Sequence, residues 1–404
     1  MSPDRADVAV VGGGVVGSCV AYLLARAGVA VAVLDPAPGK GASAGNAGLV
    51  VPSYTVPMSN PDALAVGLRS LLGKTPGMLA RPLSARTLVW LARFVLASRP
   101  GRAWRDTRVL HEMAETSRRC YDQLQSEVDF PLRDTGFLHL VRDRRVWAAE
   151  LRTARRLATI GVHSDALAPG ELAALEPGLA NGFIGAIRYP GDASLDPERT
   201  TRAFAEAAVR HGAVFHTERV VGVRTAAGRI DAVETTGRSV AARAFVLAAG
   251  ADSAAVGRLF GVRLPVEPAY GWSLTLPTQG LLLHHAVQFA DEHVVVNSGP
   301  DRIRLTGGME FGGPASAAPR AEAIAMLRAV AEAAIPAIRD IADAGVAWRA
   351  ARPMTPTGLP IIRPVGDNVV AATGHGPLGV TLAPATGRIV TDLLTRKGSP
   401  FRLS

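Results

Sequence analysis

A glycine-rich turn closes the first apolar run of the chain, and it restricts the fold more than any other feature. Asp7 to Val11 is short and apolar, as expected of a strand buried on both faces of a parallel sheet. Gly12-Gly-Gly14-Val15-Val16-Gly17 follows at once in a GxGxxG pattern, Ser18 to Ala27 has helical composition, and Gly28 stands where a left-handed cap would close that helix. A second apolar run, Val29 to Leu34, ends on Asp35, eighteen residues beyond Gly17. Glycines let a backbone approach a pyrophosphate, a helix N-terminus offers it unpaired N–H groups, and an acid at the tip of the second strand accepts hydrogen bonds from ribose hydroxyls. The pattern predicts a dinucleotide-binding βαβ unit. The competing reading is a glycine-rich turn in another α/β fold.

Length and charge bound the rest. With 404 residues, 48% of them apolar, the chain has room for two domains with substantial cores. Cys19 and Cys120 are too few for a disulfide framework and have no CxxC or His-rich neighbourhood, which argues against structural zinc and fits a reducing compartment. Val8 to Ala25 lacks charge, but four glycines interrupt it and two acids precede it, so the chain reads as unexported, cytoplasmic and without a spanning helix. The net charge of +9 is concentrated: residues 69–108 hold nine basic side chains, from Arg69, Lys74 and Arg81 to Arg108, and one acid, Asp106. Ser84 to Ser98 reads as a largely apolar helix with Arg86 and Arg93 one heptad apart. Either its apolar faces pack on the protein and the arginines are solvated, or the segment lies on anionic lipid at the inner face of a membrane. No zinc knuckle or RRM-type motif supports a nucleic-acid partner.

The segments after Asp35 carry a family resemblance. The GxGxxG with its strand-ending acid, Ser43-x-x-Asn46-Ala47-Gly48 and Pro52-Ser-Tyr54 with Pro57 resemble FAD-dependent amino-acid oxidoreductases of the D-amino-acid oxidase and glycine oxidase superfamily, with the bacterial D-amino-acid dehydrogenases closest. The resemblance implies a mixed α/β fold: a Rossmann-like FAD-binding domain (1–60, 190–262 and 350–404) interleaved with an antiparallel-sheet substrate domain (61–189 and 263–349). It implies non-covalent FAD held by Gly12, Gly14, Val15, Val16, Gly17, Asp35, Ser43, Asn46, Ala47 and Gly48. Val220 and Val221 would meet the adenine, and Ala249 and Gly250, ending the run from Ala244, would return to the diphosphate. The turn Gly374, Gly376, Pro377, Leu378 and Gly379, with Val380 and Thr381 after it, would face the flavin pyrimidine, where helix-terminal N–H groups stabilise charge on the reduced ring.

In Trp348-Arg-Ala-Ala-Arg352-Pro, the resemblance makes Arg352 the ligand of a substrate carboxylate, a task suited to a planar guanidinium fork. Tyr54, Tyr270 and Trp272 are candidates to shape the pocket, with ordinary core aromatics as the other reading, and His375 is a turn residue or a substrate contact. Tyr270 and Trp272 stand where the dehydrogenase branch often has Lys and Tyr, which suggests a bulkier, less charged pocket for apolar D-amino acids or cyclic imino acids. The implied reaction is hydride transfer from the amino acid Cα to flavin, giving an imino acid that hydrolyses to keto acid and ammonia, with a quinone or oxygen as electron acceptor. A glycine or sarcosine oxidase is the alternative, weakened by the lack of an extra Arg in the 374–379 turn. More distant are an NAD-dependent dehydrogenase and a flavin-dependent tRNA-modifying enzyme.

Overall fold

The computed structural model describes residues 5–61, 63–65, 78–80, 84–281, 283–312 and 319–396. Three sheets organise them. In the first, strands β10 (Val214–His216), β2 (Val31–Leu34), β1 (Arg5–Val11) and β13 (Ser239–Leu247) run parallel in that order, and β20 (Val369–Thr373) joins the C-terminal half of β13 in the same sense. Antiparallel β12 (Arg229–Thr235) and β11 (Val220–Ala226) extend one edge, and β19 (Ile361–Gly366) pairs with β20. Val8, Ala9 and Val10 are fully buried, as a strand covered on both faces must be.

The turn after β1 needs glycine for two reasons. Gly12 has φ +113°, and a Cβ there would lie 2.4 Å from the carbonyl oxygen of Ala248, at the end of β13. Helix α1 (Val15–Arg26) follows and closes with the paired hydrogen bonds of a Schellman motif, Gly28 N–H to Ala25 and Val29 N–H to Leu24. Tyr22 of α1 packs on Phe204 of helix α6 (Pro197–Arg210) on one face of this sheet.

The second sheet has the order β18 (Val346–Met354), β14 (Glu267–Pro277), β17 (Arg302–Phe311), β16 (Val294–Ser298), β15 (Ala286–Phe289), β6 (Phe137–Val141), β8 (Gly185–Tyr189) and β7 (Asp165–Leu167), with β4 (Met78–Ala80) on β17. It is mostly antiparallel, although β15 and β6 run parallel. Its register separates two faces. Leu274, Leu305, Val296, Val287 and Leu138 form one cross-strand row and pack with Leu327 and Ala331 of helix α8 (Ala321–Ala334). The adjacent row, one residue along each strand, is Ser273, Thr306, Val295, Gln288 and His139, and it faces away from α8.

A small third sheet, β3 (Leu49–Val50), β9 (Ala193–Leu195) and β5 (Leu132–Arg133), joins the first two. The remaining helices are α2 (Ala85–Ala97), α3 (Pro100–Leu124), α4 (Arg144–Ala158), α5 (Pro169–Leu175), α7 (Ser253–Leu259) and α9 (Gly379–Thr395). Ser84 caps α2 by accepting from the Thr87 N–H at 3.1 Å. Arg69, Lys74 and Arg81 lie outside the described residues, and no described helix is long and apolar enough to cross a membrane.

Candidate active site

The C-terminal ends of β1, β2, β13 and β20 meet at one crevice, where ligands bind in open parallel sheets. The N-terminus of α1 opens into it. Its cap residue, Gly14, offers no side chain and the first turn has no acid, so the end keeps its partial positive charge. Asp35, at the tip of β2, accepts from the Gly13 and Ala37 N–H groups, each at 2.7 Å. Ser43 Oγ accepts from the Val15 N–H at 3.0 Å. A helix end with no acid in its first turn, beside a carboxylate at a strand tip, fits the pyrophosphate and ribose of a dinucleotide.

Two distant segments close on this crevice. Asn46 Nδ2 donates to the carbonyl of Pro377 at 3.3 Å, and its own oxygen accepts from the Gly48 N–H at 2.8 Å. Thr381 Oγ1 accepts from Val51 N–H at 3.3 Å and donates to the Leu49 carbonyl at 3.0 Å. The structure thus brings residues 43–51 to the turn 374–381, more than three hundred residues away. The turn is a single 3-10 turn, Gly376–Leu378, that leads into α9 without a side-chain cap. Gly250 joins them through its carbonyl, which accepts from Thr373 Oγ1 at 3.3 Å, and Ala249 lies against Gly12. Val220 shares an apolar cluster with Val11 and Leu34, whereas Val221 is half exposed on the edge strand β11.

The second sheet offers its polar-row face to this assembly. Asn297 Nδ2 donates to the Ala47 carbonyl at 2.8 Å and Arg304 Nη1 to the Ala44 carbonyl at 2.7 Å. The backbone of Gly45 approaches Ser273 and Trp348, both on that face. Arg352 belongs to the same face by strand alternation from Trp348. Its Nη1 donates to the Gly308 carbonyl at 2.8 Å, and no carboxylate lies within 4 Å of it among the described residues. Gly308 is the extra residue of a bulge in β17, where Tyr270 pairs with Glu310 but Trp272 with Gly307. Burial holds the Arg352 guanidinium below its ordinary range and the nearby Tyr54 hydroxyl raises it again.

Tyr54 lies within electrostatic reach of Arg352. Its ring meets Phe137 and His139 edge-on at 6.4 and 5.9 Å, and its hydroxyl bonds to the Gln288 side chain. Burial raises the Tyr54 hydroxyl above its ordinary value. The side chain leaves 40% of its surface uncovered.

Three residues singled out by sequence sit elsewhere. Trp272 is 1% exposed and packs in the α8-side cluster. Tyr270 pairs with Ala351 in the register that sends it to the same side, and Arg349 lies over its ring at 3.5 Å. Alternation along β14 therefore turns both away from Arg352, and the expectation of a bulky pocket drawn from them loses its footing. His375 is buried in the turn, where its Nε2 pairs with Thr386 Oγ1 of α9 at 2.9 Å, and burial lowers it to about 4. Conversely, no motif points to Gln288 or His139. The available signal is one polar residue amid apolar neighbours in a buried strand, Phe-Leu-His-Leu-Val and Ala-Val-Gln-Phe.

Comparison with known proteins agrees with this geometry. The family described as FAD dependent oxidoreductase matches residues 7–393. A D-amino acid dehydrogenase of Methylobacterium nodulans is 37% identical over 96% of this chain and 95% of its own length, and one of Xanthobacter autotrophicus is 35% identical over 96% and 94%. Glycine oxidase from Bacillus cereus superposes with TM-score 0.76 at 22% identity, covering 96% of this chain and 94% of its own. L-proline dehydrogenase from P. horikoshii does so with TM-score 0.74 at 21%, covering 99% and 96%.

Proposed function

The chain belongs to the FAD dependent oxidoreductase family, and on that premise we propose that Arg352 anchors the carboxylate of an amino acid whose Cα–N bond the enzyme oxidises. The cofactor is FAD and the activity is that of an oxidoreductase on amino-acid CH–NH donors, in line with the D-amino acid dehydrogenases it resembles over nearly its whole length. One observation supports the assignment of the site: a guanidinium with no carboxylate partner among the described residues stands on the sheet face that meets the 43–48 segment, itself tied to the 374–381 turn.

Non-covalent FAD would lie with its diphosphate at the α1 N-terminus and its ribose at Asp35. Its ring would lie between residues 44–48, the 374–379 turn and the Arg352 face. Held by these residues, FAD would supply the two-electron acceptor for oxidation at Cα, and the resulting imine would be hydrolysed to keto acid and ammonium. The chain supplies orientation. Arg352 would hold the carboxylate by charge-assisted hydrogen bonds, Gly308 fixes the guanidinium, and Tyr54 would offer its hydroxyl from within electrostatic reach of Arg352. The N–H groups at the start of α9, without a side-chain cap, would offer partial positive charge to the flavin. His375, committed to Thr386 and held neutral, takes no part as a base.

Anaerobic exposure of the purified flavoprotein to a panel of D-, L- and N-alkyl amino acids tests the reading. Bleaching of the flavin band by D-amino acids is expected, and no bleaching by any amino acid overturns it. Reoxidation by oxygen or by a quinone analogue then identifies the acceptor.

Peripheral contact with a membrane quinone pool is a second part of the proposal. Helix α2 packs Trp90 against Phe94 and Phe311, yet its outer face leaves Leu88, Val89, Val95 and Leu96 exposed beside Arg93 and Arg99. Exposed apolar side chains flanked by cations suit an anionic lipid surface, where each basic residue contributes about 1 kcal/mol.

A further inference from the structure

We propose that Asp192 is a positioning residue for substrate binding, which through Ser53 fixes the backbone that aims Tyr54 at Arg352. The inference rests on the reading of Arg352 as the carboxylate anchor. Asp192 lies in the link between β8 and β9, is 2% exposed, and accepts from the Ser53 N–H at 3.1 Å and from Ser53 Oγ. Both carboxylate oxygens are thus directed at one residue. The acid is itself fixed, since its carbonyl accepts from the Gly136 N–H at 3.0 Å. No cation lies within 4 Å of it among the described residues.

A buried carboxylate without a cation is costly to maintain, so its presence calls for a reason beyond filling space. Ser53 supplies one, because it precedes Tyr54. The Tyr54 N–H donates to the Val51 carbonyl at 3.1 Å, and the Pro52 carbonyl pairs with His111 Nδ1 of α3 at 3.0 Å, making residues 51–54 a braced turn. Tyr54 then reaches Gln288 and the field of Arg352. Displacing Ser53 displaces the attached Tyr54 while leaving Arg352 and the nucleotide crevice in place.

The same geometry gives a pH signature. Burial outweighs the Ser53 hydrogen bonds and raises Asp192 to about 7, with His139 of β6 lowering it and Glu115 of α3 raising it. Tyr189 at the end of β8 also feels its charge. Above that pH the carboxylate accepts both Ser53 donors. Below it, the neutral acid carries its own proton and one of the two bonds must reverse or break.

The test compares the wild-type holoenzyme with Asp192→Asn, Ser53→Ala, Tyr54→Phe and the double variant D192N/Y54F. It uses the fastest D-amino acid of the bleaching panel from pH 5.5 to 8.5. In the wild type, KM should rise several-fold as pH falls through 7. D192N should raise KM at pH 8 by about tenfold with kcat within about threefold, flatten that inflection and keep a full complement of flavin. S53A should raise KM in the same direction, and D192N/Y54F should be no worse than Y54F, as for two residues acting in series. Unchanged KM in D192N and S53A, a persisting inflection in D192N, or additive losses in the double variant would each overturn the proposal. A wild type that oxidises no amino acid would instead overturn the functional reading beneath it.

Discussion

Arg352 reaches across the second sheet to the carbonyl of Gly308, and their 2.8 Å bond fixes the plane of the guanidinium. The bulge in β17 is what turns that carbonyl toward the strand two places away. With one edge of the fork held by backbone, no carboxylate among the described residues lies within 4 Å of the remaining N–H groups. Replacing Arg352 by Ala should raise KM by roughly 100-fold, the loss of one to two charge-assisted hydrogen bonds, with flavin content unchanged. Arg352→Lys should recover only part of this, because an ammonium cannot bond both Gly308 and a carboxylate in one plane.

Gly271 should be nearly as sensitive as Arg352. A Cβ on it would lie 2.2 to 2.4 Å from the guanidinium atoms, so Gly271→Ala must push Arg352 aside. The expected result is a KM increase of about tenfold or more, with little change in melting temperature, since the end of a flexible side chain yields to the methyl group.

Flavin retention should depend on the first turn. Gly12→Ala sets a methyl group against the Ala248 carbonyl and requires a left-handed backbone of a residue that avoids it. Asp35→Ala removes acceptors from two backbone N–H groups. Both variants should emerge from gel filtration with less FAD per chain than the wild type, and added FAD should raise their melting temperature by mass action. A full complement of flavin in both would rule out this placement of the cofactor.

The buried imidazole predicts a stability profile. His375 is neutral when folded, at about 4, while an unfolded histidine takes its proton near 6.5. Between those values the unfolded chain binds more protons, so stability falls as pH drops from 6.5 to 4, by about 3 kcal/mol at most. Melting temperature against pH should slope less steeply in that window for His375→Asn, and the pH dependence of kcat above pH 5 should be unaffected.

The exposed face of α2 makes a binding prediction. The wild type should co-sediment with vesicles containing anionic lipid at low salt and dissociate as salt screens the arginines. The double variant Leu88→Ser and Leu96→Ser should lose binding without losing amino-acid oxidation. A wild type that ignores such vesicles at low salt, or that instead forms a dimer abolished by the same variant, would exclude docking.

Local chemistry made the nucleotide half of the site readable. Gly12, Gly17 and Asp35 lie close in sequence and their spacing follows from a strand, a turn and a helix, so the motif alone predicts the crevice. The substrate half is written differently. The motif singles out Arg352, but which residues share its face depends on cross-strand register and on a bulge in β17, neither of which a single strand encodes. Tyr270 and Trp272 show the consequence: they neighbour Gly271, the residue beneath Arg352, yet project to the opposite side of the sheet. Gln288 and Asp192 belong to other elements and become neighbours of Tyr54 only through tertiary pairing.

The segment from Ala44 to Ser53 is fastened at five points, to Arg304, Pro377, Asn297, Thr381 and Asp192. Each of these five lies at least 139 positions downstream, and two lie beyond residue 376. On the ribosome, then, this early stretch of chain meets His111 early, at Pro52, but leaves the tunnel long before these five anchors exist, and it can take its final shape only after nearly the whole polypeptide has been made. Contacts of such long range form slowly. The catalytic centre is therefore among the last parts of the enzyme to mature, and a truncated chain ending before residue 377 would carry an intact nucleotide motif with no site built around it.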